Sequence, residues 1–226
     1  MVRLFRWFLR WALRLFVAVA LVVALVVLAF RWVNPPLNYY QASEWWRLGG
    51  LERDWVAMEE ISPVMQRSVV AAEDANFCKH WGVDFEAIVQ VIEDGSRRGA
   101  STITQQVAKN VFLWPDRSYV RKALEAGFAG AIELVWGKRR ILEVYLNVAE
   151  FDEGVFGVEA ASAHYFRVSA SELSAAQASR LASILPDPKG RSASQPAPFV
   201  VKRSNGVASG AATILRDGRA ACFSEP

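Results

Sequence analysis

The 226 residues contain only two cysteines, two histidines and three methionines. Two cysteines are too few for a disulfide framework. With no Cys-x-x-Cys and so few histidines, a structural zinc site lacks its ligands. Cys78 and Cys222 would pair in an oxidising compartment only if folding brought their Cα atoms within reach, and the plainer reading is two unpaired thiols. No segment repeats, and no series of alternating apolar and polar residues competes with the helical patterns. A surplus of basic charge is also missing where it would matter. The formal charge is +3, from 26 basic and 23 acidic side chains, with a pI near 9.0. Four of the basic residues are Arg3, Arg6, Arg10 and Arg14 at the N-terminus. The remainder is balanced, 22 against 23, so no nucleic-acid-binding footprint is present.

What the chain has instead is one long apolar run. Leu15 to Phe30 contains no charged or polar side chain, and apolar character extends from Trp11 to Val33. A bilayer's hydrocarbon core takes about 17–25 helical residues. Residues 11–33 meet that if Arg14 and Arg31 snorkel towards the headgroups, and Trp7, Trp11 and Trp32 suit the interfacial belts. Basic residues precede the run and no acid does, so the positive-inside rule places residues 1–10 in the cytoplasm and the rest of the chain outside. A cleaved signal peptide is the alternative, but Phe30-Arg31-Trp32-Val33 is a poor cleavage site.

Asn34-Pro35-Pro36 opens a connector over residues 34–60. Helical patterns then dominate. Ser62-Pro63 reads as an N-cap and first helical position, with the helix running to about Asp74. Asp84 begins an amphipathic stretch ending at Gly95, and Thr102 to Asn110 follows. Ser118 caps a long helix to Trp136, with Gly137 at its C′ position. Arg139 to Ala149 and Val158 to Phe166 are helical. Ser174 and Gln177 form a capping box for a helix ending before Pro186. The tail over 191–226, rich in Ser, Ala, Gly and Pro, receives no assignment. The length allows one domain plus an appendage, and that domain is mainly α.

Five stretches carry the chemistry. In Glu73-Asp74-Ala75-Asn76-Phe77-Cys78-Lys79-His80-Trp81-Gly82, two carboxylates stand at a helix C-terminus. The negative end of the macrodipole raises proton affinity there, which suits a general base. In Gly99 to Gln106, a turn of small residues leads into a helix whose first turn is hydroxyls and amides, a cradle for an anion or a sugar. Gln106, Lys109 and Asn110 share a face of that helix. Arg117, Arg121 and Glu125 are spaced by four. They suit phosphate recognition, although an ordinary surface salt-bridge ladder is the plainer reading of spacing alone. Lys138 to Asn147, and Gly157 to Phe166, read as packing.

Taken in order, EDANFCKHWG, GASTITQQVAKN, RKALE, KRRILEVYLN and GVEAASAHYF resemble the five motifs of the peptidoglycan glycosyltransferases (glycosyltransferase family 51), over about residues 60 to 190. The departures are small: Ala100 for a common glycine, Gln177 for Glu and Arg167 for Lys. Ser-x-x-Lys and Lys-Thr-Gly, which a penicillin-binding transpeptidase domain needs, are absent, so the resemblance is to the monofunctional members. It implies a lysozyme-like, two-lobed helical domain over 61–190 behind one transmembrane helix. It implies inverting polymerisation of lipid II onto a growing lipid-linked glycan strand, with release of undecaprenyl diphosphate. Glu73 would be the base. Glu125 would be a second essential carboxylate, on the donor side or holding the cations. Lys109, Arg117 and Arg121 would receive the diphosphate. Ser101, Thr102, Gln105, Gln106 and Asn110 would line the cleft, with Asp74, Phe77 and His80 also among the substrate-binding residues. No protein-bound metal site is expected, and a divalent cation, Mg or Mn, is the one cofactor allowed. Partners would be the membrane, the lipid-linked sugars and wall-synthesis or cell-division proteins. The site would face the periplasm from the bacterial inner membrane. Two other readings fit some of these residues: a lysozyme-like lytic enzyme acting on finished peptidoglycan, and a non-catalytic, membrane-tethered division scaffold.

Overall fold

The computed structural model describes residues 2–95, 99, 101–116 and 118–224, in two compact units divided after Asn34. The first unit is helix α1, Val2–Ala29. Its stretch Arg3–Ala29 contains an 18-residue window of mean hydropathy 2.9 and is long and apolar enough to cross a membrane. The four arginines recur every three or four residues and therefore share one face. Trp7 and Trp11 meet edge to face at 6.2 Å, and the Arg14 guanidinium lies 5.1 Å from the Trp11 ring. The helix starts nearer the N-terminus than hydropathy alone indicated and ends at Ala29. Residues 30–33 form a turn closed by the Val33 N–H on Ala29 O (2.9 Å).

The second unit is mainly helical, as expected: α2 (Tyr39–Leu48), α3 (Pro63–Glu73), α4 (Phe85–Glu93), α5 (Ile103–Phe112), α6 (Tyr119–Val135), α7 (Lys138–Val148), α8 (Val158–Phe166), α9 (Ala175–Ile184) and α10 (Pro198–Arg216). Most begin where the capping residues indicated. Thr102 and Ser174 form capping boxes with Gln105 and Gln177, and the Ser118 hydroxyl accepts from the Arg121 N–H. Ser62 does sit at the N-cap of α3, but its hydroxyl donates to Leu173 O instead (3.2 Å). Gly137 is not a left-handed C′ residue: with φ −74° and ψ 157° it is the N-cap of α7.

The helices pack as two groups. One is α3, α9 and α10; the other is α5, α6 and α7. This division is the two-lobed arrangement that the motifs implied. A small sheet, which the sequence pattern did not reveal, lies beside the second group. Its order is β1 (Glu52–Arg53), β3 (Val155–Phe156), β2 (Glu150–Asp152), with β1 parallel and β2 antiparallel to β3. Strands of two and three residues are too short to show alternation. Gly157, at φ +88°, follows β3. A Cβ there would stand 3.0 Å from Asn147 O, so the chain can pass α7 this closely only as glycine. Asn147 is fully buried, and its amide exchanges two hydrogen bonds with the Val56 backbone (both 2.9 Å). That ties the connector to α7.

Two helices lie where none was assigned. In the connector, α2 is fixed by the Asn38–Gln41 capping box. In the tail, α10 packs along both α3 and α9. Gly210 of α10 approaches α3 closely enough that a Cβ would be 3.1 Å from the Ala71 methyl. Beyond α10 the chain folds back on the loop after α3. Phe223 is fully buried against Phe77, with ring centroids 6.2 Å apart. Cys78 and Cys222 are joined as a disulfide, with their Cα atoms 5.7 Å apart and 144 residues apart in sequence. The reading as two unpaired thiols is therefore corrected: packing of Phe223 on Phe77 brings the two cysteines together.

A cross-link closing so long a loop stabilises by roughly 2–5 kcal/mol, mainly through the unfolded state. Cys222→Ser should lower the thermal midpoint by several degrees. Adding a dithiol reductant should bring the wild type down to the variant and leave the variant unchanged. Equal midpoints for both proteins before reduction would contradict this.

Candidate active site

The site is built where α3 ends and α5 begins. Asp74 is the C-cap of α3 and is buried. One of its oxygens accepts from the Ile103 N–H (2.9 Å), a free donor in the first turn of α5, and the other pairs with His80 Nε2 (2.9 Å). The two helix ends are thus fastened through a single carboxylate, whose charge suits the positive end of α5. The loop between them is held from two sides. Gly82, at φ +76°, passes the α6 backbone so closely that a Cβ would lie 3.2 Å from the Ala129 carbonyl. Its own carbonyl accepts from the Thr102 hydroxyl (2.5 Å).

This junction sets the position of Glu73, the last residue of α3. Its Oε2 accepts from the Gln106 side-chain amide (3.0 Å). Gln106 Oε1 in turn accepts from the Tyr145 hydroxyl (3.2 Å). With the amide oxygen taken by the phenol, the amide nitrogen must face Glu73. Arg203 of α10 places its guanidinium 3.6 Å from Glu73 Oε1 and donates to Ala72 O (3.3 Å). Burial pushes the Glu73 carboxyl above its usual range. The Gln106 bond and the charges of Arg203 and Lys109 oppose that shift, and neighbouring Asp74 adds to it. A carboxylate raised in this way is a stronger base at neutral pH.

Across the cleft, α6 presents Glu125, 3% exposed and held by two cations at 2.5 Å: Arg121 and Lys122. Lys122 also donates to Ser101 Oγ (3.1 Å). The spacing alone favoured a surface ladder, but the Arg121–Glu125 pair is buried, and removing one partner of such a pair costs about 3–5 kcal/mol. Lys109 stands between the two acids. Its ammonium has no hydrogen bond or ion pair among the described residues. Burial lowers its pKa, while the charges of Glu125 and Glu73 support it. Glu73, Gln106, Lys109, Arg121, Lys122, Glu125 and Arg203 all border one cleft of about 700 Å³. It lies between the two helix groups. The other side of Gln106 and Lys109 borders a smaller chamber of about 320 Å³, with Asn110, Tyr40 and Phe156.

The structure therefore separates the residues singled out from the sequence. Glu73, Glu125, Ser101, Gln105, Gln106, Lys109 and Arg121 line the cleft, and Asn110 lines the adjoining chamber. Asp74 and Thr102 border a third hollow, towards α4, but both are buried and engaged with the backbone. Gln105 is also largely committed to its capping box. Phe77 is wholly buried, with the Lys138 ammonium 4.5 Å from its ring centroid. The His80 side chain is buried on Asp74, and its Nδ1 has no hydrogen-bond partner among the described residues. These support the site rather than border the cleft. Arg117 lies outside the described residues. Sequence reasoning missed Arg203 and Tyr145. Tyr145 sits in a stretch read as packing, where the one signal was a phenol among aliphatic residues. Arg203 lies in the unassigned tail and gave no signal.

Asp74, His80 and Asp84 offer ligand atoms within 4.8 Å of one another and form a group able to hold a metal ion. Two carboxylates and an imidazole suit a transition ion better than Mg, which prefers an octahedron of oxygens. All four carboxylate oxygens already accept hydrogen bonds: Asp74 from Ile103 and His80, and Asp84 from Ala87 N (2.9 Å) and Asn76 Nδ2 (3.1 Å). The group is first a network that shapes the loop, and it offers no ready oxygen cage for Mg.

A family model described as Transglycosylase matches residues 42–212. Among curated proteins, the chain is 57% identical over 197 residues to a biosynthetic peptidoglycan transglycosylase of Jannaschia sp. (strain CCS1), covering 87% of this chain and 82% of the relative. A protein of the same description from Caulobacter vibrioides is 46% identical over 200 residues, covering 87% of each. One from Pseudomonas syringae pv. syringae is 51% identical over 191 residues, covering 80% of this chain and 81% of the relative.

Two measurements check this geometry. Arg203→Gln removes a positive neighbour of Glu73, so the carboxylate loses stabilisation and its pKa rises. Because Arg203 is about 39% exposed, solvent screening should keep the rise small. Carboxyl-carbon NMR reads it directly, and an unchanged or lowered value would contradict the assignment. Asp74→Ala leaves the Ile103 N–H and His80 without their partner. It should cost about 2–4 kcal/mol in denaturant unfolding.

Proposed function

The chain belongs to the transglycosylase family, and from that premise we propose that it polymerises lipid II, with Glu73 as the base that activates the acceptor sugar. It is a glycosyltransferase of peptidoglycan synthesis and acts in cell wall biosynthesis. The match extends over most of the chain and to the transglycosylase domain alone. The proposal concerns what is transferred and by which groups.

An alcohol is a weak nucleophile, so the acceptor's 4-hydroxyl needs a positioned base. Such a base contributes about 10²–10⁴-fold. Glu73 Oε takes the hydroxyl proton as the oxygen attacks the anomeric carbon of the growing strand. The bond from that carbon to the diphosphate breaks, with inversion, and undecaprenyl diphosphate leaves as an anion. That anion needs positive charge more than a proton. Lys109 has no partner of its own among the described residues and is placed to meet it. Arg121 and Lys122, gathered on Glu125, add to the positive field, and Arg117 joins them in this reading. Glu125 then acts by holding these cations in place. The Mg or Mn ion allowed by the family resemblance carries no step here, since side-chain cations border the cleft.

The observation that carries the reading is this pairing: a buried acid fixed by Gln106 and Arg203, facing a lysine without a partner among the described residues and a carboxylate-bound cluster of cations. A lytic enzyme would also use one buried carboxyl, but as a proton donor, and it has no leaving diphosphate for those cations to meet. We place α1 in the bacterial inner membrane with the N-terminus cytoplasmic and the catalytic unit periplasmic, so that enzyme and lipid-linked sugars share one leaflet. Other wall-synthesis or division proteins are its natural partners there.

Glu73→Gln keeps the shape and removes the base. Glycan polymerisation from lipid II should fall by at least about two orders of magnitude. Isolated sacculi incubated with the wild type should release no soluble muropeptides. Release without polymer formation would favour the lytic reading, and retained polymerisation by the variant would remove Glu73 from the chemistry.

A further inference from the structure

We infer that the Cys78–Cys222 bridge is a redox-operated clasp on the catalytic loop: closed, it holds Glu73 in its working position, and a dithiol that opens it slows glycan transfer. This rests on Glu73 being the base and on the catalytic unit facing the periplasm.

The loop after α3 has little regular structure of its own. Between Glu73 and Gly82 it closes local turns, with the Phe77 N–H on Asp74 O (3.0 Å) and the Lys79 N–H on Asn76 O (2.7 Å). Its later half is tied to the second helix group, where Lys138 Nζ donates to His80 O (2.8 Å). Its earlier half is held by the tail. Arg219 donates to Ala75 O (3.0 Å), Phe223 packs on Phe77 with 6.2 Å between ring centroids, and Cys222 is bonded to Cys78. Ala75, Phe77 and Cys78 are thus all gripped by one segment, residues 219–223. That segment is itself a run of turns beyond α10, with the Ala221 N–H on Gly218 O (3.1 Å) and the Phe223 N–H on Ala220 O (3.0 Å).

The bridge closes a ring around the site. The ring runs from Glu73 along the loop to Cys78, across to Cys222, and back through the tail and α10 to Arg203, which stands 3.6 Å from Glu73. Glu73 lies five residues before Cys78, so slack in this loop is felt at the acid. Opening the bridge removes the tail's covalent hold on the loop and lets the end of α10 part from it.

Both cysteines are partly exposed, and the chain has no third cysteine to exchange with them. The thiol that opens the bridge therefore comes from outside, and a Cys-x-x-Cys dithiol protein of the same compartment has the chemistry for it. One thiolate of the dithiol attacks one sulfur of the bridge, the S–S bond breaks, and the other cysteine leaves as a thiolate. The second thiol of the reductant then displaces the first cysteine. Two electrons pass to the protein, both cysteines end as thiols, and the reductant is left as a disulfide. A disulfide oxidant closes the clasp by the reverse steps.

The test assays the full chain for glycan polymerisation from lipid II in buffers of stepped dithiol-to-disulfide ratio, well below the thermal midpoint of the reduced protein. Alkylation followed by mass measurement reads the free thiols, and near-ultraviolet circular dichroism reads the folded fraction. Per folded molecule, kcat should fall at least about fivefold as the bridge opens, with little change in KM, because misplacing a reacting group by ~1 Å can cost about 10²-fold. Reoxidation should restore it. The Cys78→Ser/Cys222→Ser protein should work at the reduced rate at every ratio. An unchanged kcat on full reduction overturns the inference, as do a bridge that resists reduction in the folded protein and a loss that only follows the folded fraction. Glu73→Gln is run alongside. Retained polymerisation by that variant removes the base reading, whereas an inactive Glu73→Gln beside a redox-indifferent wild type removes the clasp alone.

Discussion

A carboxylate that bridges two helix ends fixes the geometry on which the rest of this site depends. Asp74 satisfies a backbone donor of α5 that no helix can satisfy internally, and it does so from the residue next to Glu73. The catalytic candidate therefore cannot move relative to Gln106 without breaking a buried charged hydrogen bond. Such a bond is worth about 1.5–3 kcal/mol, enough to hold a single arrangement. His80, Thr102 and Gly82 serve the same end, because each ties the intervening loop to the junction or to α6. The two adjacent acids look equivalent as letters, but Asp74 is committed to the helix junction while Glu73 borders the cleft.

The charges in the cleft are arranged by the same logic. Glu73 is raised by burial and restrained by an amide and a half-exposed guanidinium, which keeps a hidden carboxyl able to exchange a proton. Glu125, similarly hidden, has one cation on each of its oxygens. The two carboxylates in one cleft thus have different surroundings. Lys109, with no partner among the described residues, adds a positive charge to the same cleft.

Much of this was legible in the chain. Capping residues announced α5, α6 and α9, and spacing announced that Gln106, Lys109 and Asn110 share one face of α5. The family resemblance singled out Glu73 and Glu125, which border one cleft. What was not legible has physical reasons. α10 contains Gly206, Gly210 and several small polar residues, a composition that reads as loop because its intrinsic helix preference is weak. It folds because those small residues let it lie close against α3, and that gain appears only when α3 is present. Arg203 was hidden for the same reason. Phe77 and His80 sit in the most informative motif, and sequence cannot show which of its side chains turn inward. The Cys78–Cys222 bridge depended on the return of a segment that had no assignment. The connector helix α2 was short and followed a proline pair, which masked it.

The contribution of α10 makes the surroundings of Glu73 depend on segments far apart in the chain. Glu73 ends α3, and Arg203, the guanidinium that opposes the rise in its proton affinity, stands 130 residues later in the sequence. Without α10 that carboxyl would lack its positive neighbour and the cleft would lose part of its wall. The electrostatics of this one acid are therefore a property of the folded unit as a whole, not of the stretch of sequence that carries it.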